Sequence, residues 1–164
     1  GARAAFLTPI AKAFGTQTGM RVSEMGVQVH GGMGFIEETG ASQYARDVRV
    51  TAIYEGTNGI QSMDLVGRKL MDGGEAAHAL IDEMQGFAEE ARATRPRMAG
   101  LVWDATENLR EATEWMVAQK DMTARFAGSV PFLAAYARVL GGYFLVRAAV
   151  AVGGEGPRTK LARF

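Results

Sequence analysis

The sequence predicts an all-α fold in which one helical bundle is followed by a second, antiparallel helical bundle. Apolar residues recur at three- and four-residue spacing over long stretches, which is the period of an amphipathic helix. Glycine and proline interrupt these stretches where helices would end. The strongest interruption, Asp72-Gly73-Gly74, predicts a boundary between two helical domains at residues 1–73 and 74–164.

The first 34 residues are predicted to form helices that end in a glycine loop. Thr8-Pro9 suits a helix N-terminus, so we expect a break there, before a second helix over residues 16–29. His30-Gly31-Gly32-Met33-Gly34 is expected to be a loop, because three glycines in four positions favour left-handed backbone conformations. The imidazole of His30 is interpreted as a packed, hydrogen-bonded group rather than a catalyst.

The next predicted helix is capped by Thr39 or Ser42 and runs to about Val50. Arg46 and Asp47 are neighbours in it, so they point in different directions and cannot pair across one helix face. We interpret Arg46 as a buried arginine that fixes the backbone of the following turn. Two solvated charges are the alternative, since exposed ion pairs contribute little.

The turn Tyr54-Glu55-Gly56-Thr57 carries one carboxylate just before a predicted helix. Asn58, with Gln61 three positions later, matches an N-cap pattern, and Thr57 is an alternative cap, for a helix that ends near residues 72–74. The helix dipole stabilises a carboxylate at this position, whereas burial against an apolar ligand would oppose its charge. Glu55 can therefore serve as a general base, and a solvated loop glutamate is the alternative.

Residues 74–164 are predicted to form three long helices. An apolar stripe from Ala77 to Ala91 predicts the first helix, and a linker follows over residues 94–100. The second is expected from about Leu101 to Phe126, and Pro131 begins the third. The methionines and aromatic residues of this bundle are interpreted as core residues rather than a cofactor site.

The last predicted helix is apolar almost all round from Phe132 to Val152. Its length would span a bilayer, but Arg138 and Arg147 fall on opposite faces of the helix and would be costly in lipid. We therefore expect a buried bundle helix and no membrane span.

The composition excludes several classes of site. Basic and acidic side chains number 18 each and are evenly distributed, which argues against a nucleic-acid-binding face. Cysteine is absent and there are two histidines, so the sequence contains no disulfide, no thiolate nucleophile and no metal-binding cluster of these residues.

Several blocks occur in order along residues 4–72: Gln28-Val29-His30-Gly31-Gly32-Met33-Gly34, Glu37-Glu38-Thr39-Gly40, Arg46-Asp47, Ile53-Tyr54-Glu55-Gly56-Thr57, Gln61 and Arg68-Lys69-Leu70. Together they resemble the C-terminal signature of the acyl-CoA dehydrogenase family. The remainder more loosely resembles the extra helical domain of longer family members, including the methylthioalkanoyl-CoA dehydrogenase type.

The resemblance implies a flavoenzyme that removes the α proton of an acyl-CoA thioester while the β hydride passes to FAD. Glu55 would be the catalytic base, and its backbone NH would help a ribityl hydroxyl of FAD to hold the thioester carbonyl. As substrate-binding residues, Gly56 would leave room for the acyl chain and Tyr54 would pack against the thioester end or the flavin; packing of Tyr54 in the core is the alternative. No metal is required for this chemistry.

The resemblance also implies cofactor contacts and partners. Gln28 and Gly32 would contact the adenosine-diphosphate part of the FAD of a neighbouring subunit, and Thr57 the FAD of its own subunit. The implied assembly is a homodimer or homotetramer with electron-transfer flavoprotein as electron acceptor, in a bacterial cytoplasm or the mitochondrial matrix. Family members carry an N-terminal helical domain and a middle β-domain before this part, so we expect a fragment that is inactive alone.

Two other functions stay open from the sequence. A family relative of the alkylation-response type, which is associated with DNA, would keep the flavin fold in a binding role but should show a basic C-terminal face. Residues 100–164 hold 8 basic and 6 acidic side chains, a surplus of two, so this function ranks second. The third is a helical interaction module in which Glu55 has no catalytic role.

Overall fold

A computed structural model describes residues 1–154 and 156–162, and within these residues the chain is helical and contains no strand. The all-α prediction is therefore confirmed. Single 3-10 turns at Glu37–Thr39 and Val50–Ala52 flank the third helix. The α-helices are α1 (Ala2–Val29), α2 (Gly32–Phe35), α3 (Ala41–Arg49), α4 (Asn58–Gly67), α5 (Glu75–Ala91), α6 (Pro96–Ala118), α7 (Met122–Ala127), α8 (Ser129–Val152) and α9 (Pro157–Leu161).

The first helix is continuous through Pro9, so the predicted break at Thr8-Pro9 is wrong. The hydroxyl of Thr8 donates to the carbonyl of Ala4 at 2.7 Å instead of capping a new helix. A proline inside a helix costs about 3 kcal/mol. Phe6 and Ile10 are buried on either side of it, and each contributes about 1.5–3 kcal/mol on burial, which offsets that cost.

The predicted glycine loop is partly helical. The turn is confined to His30 and Gly31, which has a φ of 60°, and α2 begins at the next residue. A Cβ on Gly34 would overlap the carbonyl oxygen of Val27, so glycine lets α2 fold back onto the end of α1. His30 is exposed, with Nδ1 2.9 Å from the Gly26 carbonyl, so it is hydrogen-bonded but not packed as predicted.

Helix α3 has Gly40 at its N-cap, with a φ of 77° and no side-chain cap. Neither Thr39 nor Ser42 caps it as predicted, because a left-handed glycine already turns the chain into the helix. Arg46 is also not buried: its side chain is 53% exposed and donates to Glu37 at 2.7 Å. The prediction that Arg46 fixes the following turn is therefore wrong.

Helix α4 ends at Gly67, well before the predicted end near residue 72. The turn before α5 matches the prediction. Gly73 and Gly74 have φ values of 78° and 80°, and the Asp72 carboxylate accepts a hydrogen bond from the Gly74 NH at 2.9 Å.

The predicted helix over residues 101–126 is two helices. Pro96 occupies the first turn of α6, five residues earlier than predicted, because its fixed φ suits a helix start. Gln119 is extended after α6, and the Asp121 carboxylate then accepts from the Thr123 NH at 2.9 Å to cap α7. Capping by Asp121 thus divides an apolar stripe that reads as one continuous helix in the sequence.

Helix α8 is long and apolar enough to cross a membrane by length and composition. It also supplies buried residues to the core, among them Phe132, Tyr136 and Tyr143. Phe6 packs edge-on against Tyr136 at 5.1 Å between ring centroids, and Phe87 packs in the same way against Tyr143 at 5.3 Å. These contacts fit the predicted buried bundle helix.

One hydrophobic core joins the two predicted domains. Its buried members come from both ranges and include Phe6, Ile10, Leu65, Leu80, Met84 and Tyr136. A polar cluster lies beside it, where Glu83 pairs with Arg3 of α1 and accepts from the Tyr143 hydroxyl at 3.0 Å. The division into residues 1–73 and 74–164 stays a prediction, and the packing across it is continuous.

Candidate active-site turn

The turn that leads into α4 has an unusual backbone. Glu55 has a φ of 52°, and within the described residues it is the sole non-glycine residue with a positive φ. Gly56 follows with a φ of 86°. A non-glycine residue in this region costs on the order of 1–3 kcal/mol, and such residues cluster at functional sites. The conformation at Glu55 therefore needs support from its surroundings.

That support comes from both sides of the turn. The side chain of Gln61, one turn into α4, donates to the Glu55 carbonyl at 2.9 Å. Thr57 is the N-cap of α4 and accepts from the Ile60 NH at 3.4 Å, so the alternative cap is the one observed. From α1, the ammonium group of Lys12 donates to the Gly56 carbonyl at 2.7 Å.

Asn58 is the first residue of α4 and ties the turn to α1. Its Oδ1 lies 3.1 Å from both Lys12 Nζ and Thr16 Oγ1, and its Nδ2 donates to the Ala13 carbonyl at 3.3 Å. Lys12 is not predicted from the sequence, because it is 44 residues from Gly56 and belongs to no recognisable pattern around the turn. The signal that could have identified Lys12 is its partial burial on a helix with few charged residues, and this burial is known only from the folded structure.

The functional groups of the turn are accessible. Glu55 is exposed, and Tyr54 beside it is 52% exposed. Among the described residues, neither the backbone NH nor the carboxylate of Glu55 is engaged in a hydrogen bond or ion pair. The backbone is thus fixed, while one donor and one carboxylate are left to face a ligand.

A groove of about 440 Å³ runs beside the turn between α1, α4 and α8. Thr57 lines it, but Tyr54, Glu55 and Gly56 do not. Its other lining residues are Ala13, Phe14, Gln17, Met20, Arg49, Ala52, Ile53, Asn58, Gly59, Ser62, Val130, Leu133 and Ala134.

The other two candidate residues lie at the far end of α1. Gln28 is twelve residues beyond Thr16, which is about 18 Å along a helix at 1.5 Å per residue. Gln28 and Gly32 are both exposed, and the space next to the Gly32 Cα is open. Within one chain, the structure therefore does not bring Gln28 and Gly32 together with Glu55.

Comparison of the sequence with known families shows to which family the chain belongs. A model of the acyl-CoA dehydrogenase C-terminal domain matches residues 1–71, and a model of the acetyl-CoA dehydrogenase C-terminal-like region matches residues 80–160. The chain belongs to the acyl-CoA dehydrogenase family. The two matches fall on either side of the Asp72-Gly73-Gly74 turn.

Several curated acyl-CoA dehydrogenases are similar to the chain. It is 39% identical over 158 residues to the 3-methylmercaptopropionyl-CoA dehydrogenase of Ruegeria pomeroyi, covering 93% of this chain and 27% of that protein. It is 30% identical to a broad-specificity linear acyl-CoA dehydrogenase of Mycobacterium tuberculosis, covering 89% and 26%. A very long-chain specific mitochondrial enzyme of Rattus norvegicus is 31% identical over 104 residues, covering 63% and 15%. The chain thus spans about a quarter of the length of the first two relatives.

The acyl-CoA dehydrogenase family is FAD-dependent, and the exposed candidates of this chain are compatible with that cofactor. Gln28 offers an amide that can donate and accept hydrogen bonds, and the open space at Gly32 allows a ligand close to the backbone. Thr57 lines the groove beside the turn, and its hydroxyl accepts from the Ile60 NH. These residues fit a nucleotide cofactor, although they occupy two separate parts of the surface.

Proposed function

We propose that this chain is the C-terminal part of an FAD-dependent dehydrogenase that forms a double bond between the α and β carbons of an acyl-CoA thioester, with Glu55 as the base. The observation that carries the proposal is the exposed Glu55 carboxylate on a left-handed turn anchored by Gln61 and Lys12. A backbone held in this way against its own preference supports a role that depends on position.

The reaction requires removal of a weakly acidic proton, and a base positioned beside it contributes about 10²–10⁴-fold. Glu55 accepts the α proton through its free carboxylate. Its backbone NH donates to the thioester oxygen, where negative charge develops. Bound FAD supplies the acceptor for the hydride that leaves the β carbon. Gly56, which has no side chain, leaves room for the acyl chain, and Tyr54 packs against the thioester end.

We further propose that the cofactor contacts are divided between subunits. Thr57 contacts the FAD that serves its own Glu55, whereas Gln28 and Gly32 contact the adenosine-diphosphate part of the FAD in a neighbouring subunit. The roughly 18 Å of α1 between Thr16 and Gln28 supports this division. It requires a homodimer or homotetramer.

The proposed electron acceptor is electron-transfer flavoprotein, in a bacterial cytoplasm or the mitochondrial matrix. The relatives named above include bacterial proteins and a mitochondrial one, which supports both compartments. Mixing the reduced full-length enzyme with electron-transfer flavoprotein under anaerobic conditions would test this step directly, through reoxidation of the flavin.

The test of the catalytic assignment is Glu55→Gln in the full-length enzyme. We expect flavin content to be unchanged and the rate of flavin bleaching by acyl-CoA under anaerobic conditions to fall by about 10²–10⁴-fold. A short straight-chain acyl-CoA and 3-methylmercaptopropionyl-CoA serve as probes. Glu114→Gln, the same change at an exposed glutamate of α6, is the matched control and should bleach at the wild-type rate.

Normal turnover of the Glu55→Gln enzyme would refute the role of Glu55. The wild-type enzyme separates the other functions in the same assay. Flavin that stays oxidised with every acyl-CoA tested would indicate a binding relative, and a protein purified without flavin would indicate a helical interaction module.

A further inference from the structure

We infer that Lys12 is a positioning residue for the catalytic base, acting through the Gly56 carbonyl and the side chain of Asn58. The inference rests on the proposed function, because it assigns to Lys12 the task of holding Glu55 in place. Lys12 is on α1, and the base that it would position is on the turn before α4, so the contact joins two elements that are distant in sequence.

Lys12 holds the turn through two hydrogen bonds, to Gly56 and to Asn58, and these two contacts together are called the clamp. Its Nζ donates to the Gly56 carbonyl at 2.7 Å and to Asn58 Oδ1 at 3.1 Å, and the side chain is partly buried. In the part of the chain that the structure describes, Lys12 pairs with no carboxylate. A charged donor to a neutral acceptor makes a stronger hydrogen bond than a neutral donor does. The ammonium group is therefore committed to the turn.

The clamp completes the fixation of Glu55. The carbonyl of Glu55 is held by Gln61, and the carbonyl of Gly56 is held by Lys12, so two successive peptide groups are anchored. Both residues have positive φ values, and glycine has little conformational preference of its own, so the contact with Lys12 restricts the backbone of Gly56. Loss of the Lys12 contact releases the second anchor, while the first remains.

Other contacts between α1 and α4 do not depend on Lys12. Thr16 Oγ1 lies 3.1 Å from Asn58 Oδ1, and Asn58 Nδ2 donates to the Ala13 carbonyl at 3.3 Å. These bonds, together with the buried Ile10 and Leu65 in the shared core, keep the two helices docked. Removing the ammonium group should therefore move the turn without unfolding the protein.

The experiment compares Lys12→Met with wild type in the full-length flavoenzyme. We expect kcat to fall roughly 10- to 100-fold, because a displacement of about 1 Å at a reacting group has an effect of this size. KM should change by less than about threefold, because substrate binding is not what the clamp provides. Flavin content and the thermal midpoint should stay near those of wild type. Lys120→Met, at an exposed lysine before α7, is the matched control.

A second comparison shows whether Lys12 acts through Glu55. The Lys12→Met change should lower kcat in the wild-type background and have no further effect in the Glu55→Gln background. Wild-type kcat in Lys12→Met, or an equal loss in both backgrounds, would overturn the inference. If Lys12→Met does not fold, Lys12→Gln, which is too short to reach both acceptors, is judged by the same outcomes. An active Glu55→Gln enzyme would refute the proposed function itself, which is a separate result.

Discussion

The turn after α1 yields a sharp prediction, because two glycines two residues apart have opposite surroundings. A Cβ added to Gly34 would overlap the Val27 carbonyl oxygen and lie 2.9 Å from His30 Cβ. A Cβ added to Gly32 would meet nothing within 4 Å, and Gly32 does not have a positive φ. Alanine should therefore be tolerated at residue 32 and not at residue 34.

The expected loss of stability depends on which atoms must move to make room for the added Cβ. At Gly34 the obstruction is backbone, so the chain has to shift, and overpacking of this kind costs about 1–3 kcal/mol. For a chain of 150–250 residues, 1 kcal/mol corresponds to roughly 2–4 °C, so Gly34→Ala should lower the thermal midpoint by about 2–12 °C. Gly32→Ala should change stability by less than about 0.5 kcal/mol.

The assay is thermal unfolding of the 164-residue chain, followed by circular dichroism, with wild type and both alanine variants measured together. Flavin retention by the full-length variants is the second measurement, because the proposed cofactor contact is at Gly32 and not at Gly34. We expect Gly32→Ala to lose FAD more readily while it remains stable. A Gly34→Ala chain as stable as wild type would refute the packing argument, and undiminished FAD retention by Gly32→Ala would refute the cofactor contact.

Two further predictions concern charge and backbone. The hydrogen bond from Arg3 lowers the pKa of Glu83 below its ordinary value of 4.5, so the contribution of Glu83 to stability is present above pH 4.5 and is lost as the pH falls through the lower folded value. Unfolding measured at several pH values should therefore show a smaller decline in stability across that acidic range for Glu83→Gln than for wild type. An identical decline would contradict the role of the Arg3–Glu83 pair. Gly56→Ala should lower the free energy of unfolding by about 1–2 kcal/mol and slow flavin reduction, because alanine disfavours a φ of 86° and its Cβ would lie 3.3 Å from Gln61 Nε2. The control is Gly86→Ala in α5, which has open space around it and should not be destabilised. Equal effects of the two changes would contradict the backbone argument for Gly56.

The helical period was sufficient to predict the fold class and most of the helices. The stripe from Ala77 to Ala91 coincides with the buried face of α5, because apolar spacing reports directly which side meets the core. The apolar helix after Pro131 likewise became a core helix, α8. Helical periodicity depends only on residues that are close together in the sequence, and it is sufficient to predict α5 and α8.

The errors arose where contacts between distant residues decide the structure. Pro9 is a helix breaker by local rules, yet burial of its neighbours keeps α1 intact. Asp121 ends an apolar stripe through a capping bond that the stripe itself does not reveal. Arg46 pairs with Glu37 at the surface, and this pairing depends on the orientation of the 3-10 turn before α3.

The candidate site shows the same division. Family blocks in the sequence lead to Glu55, Gln28 and Thr57 as the proposed site residues, because the match with a motif is made residue by residue. They include Gln61, which holds the Glu55 carbonyl, but not Lys12, the second support of the turn. Lys12 and Asn58 hold the turn across a gap of 46 residues, and no spacing rule connects them. The positive φ of Glu55 was also not predictable, since glutamate has no preference for that region.

The continuity of α1 links these findings. Its first turns bury Phe6 and Ile10 in the core shared with α8, its middle holds the Glu55 turn through Lys12, and its end presents Gln28. Because α1 is one 28-residue helix and not two, these three positions keep a fixed spacing. The helix itself therefore sets where the turn of the proposed base and the Gln28 amide lie relative to each other. A change that loosens α8 from α1 should disturb both parts of the proposed site at once, whereas a change at Gln28 should leave the base in place.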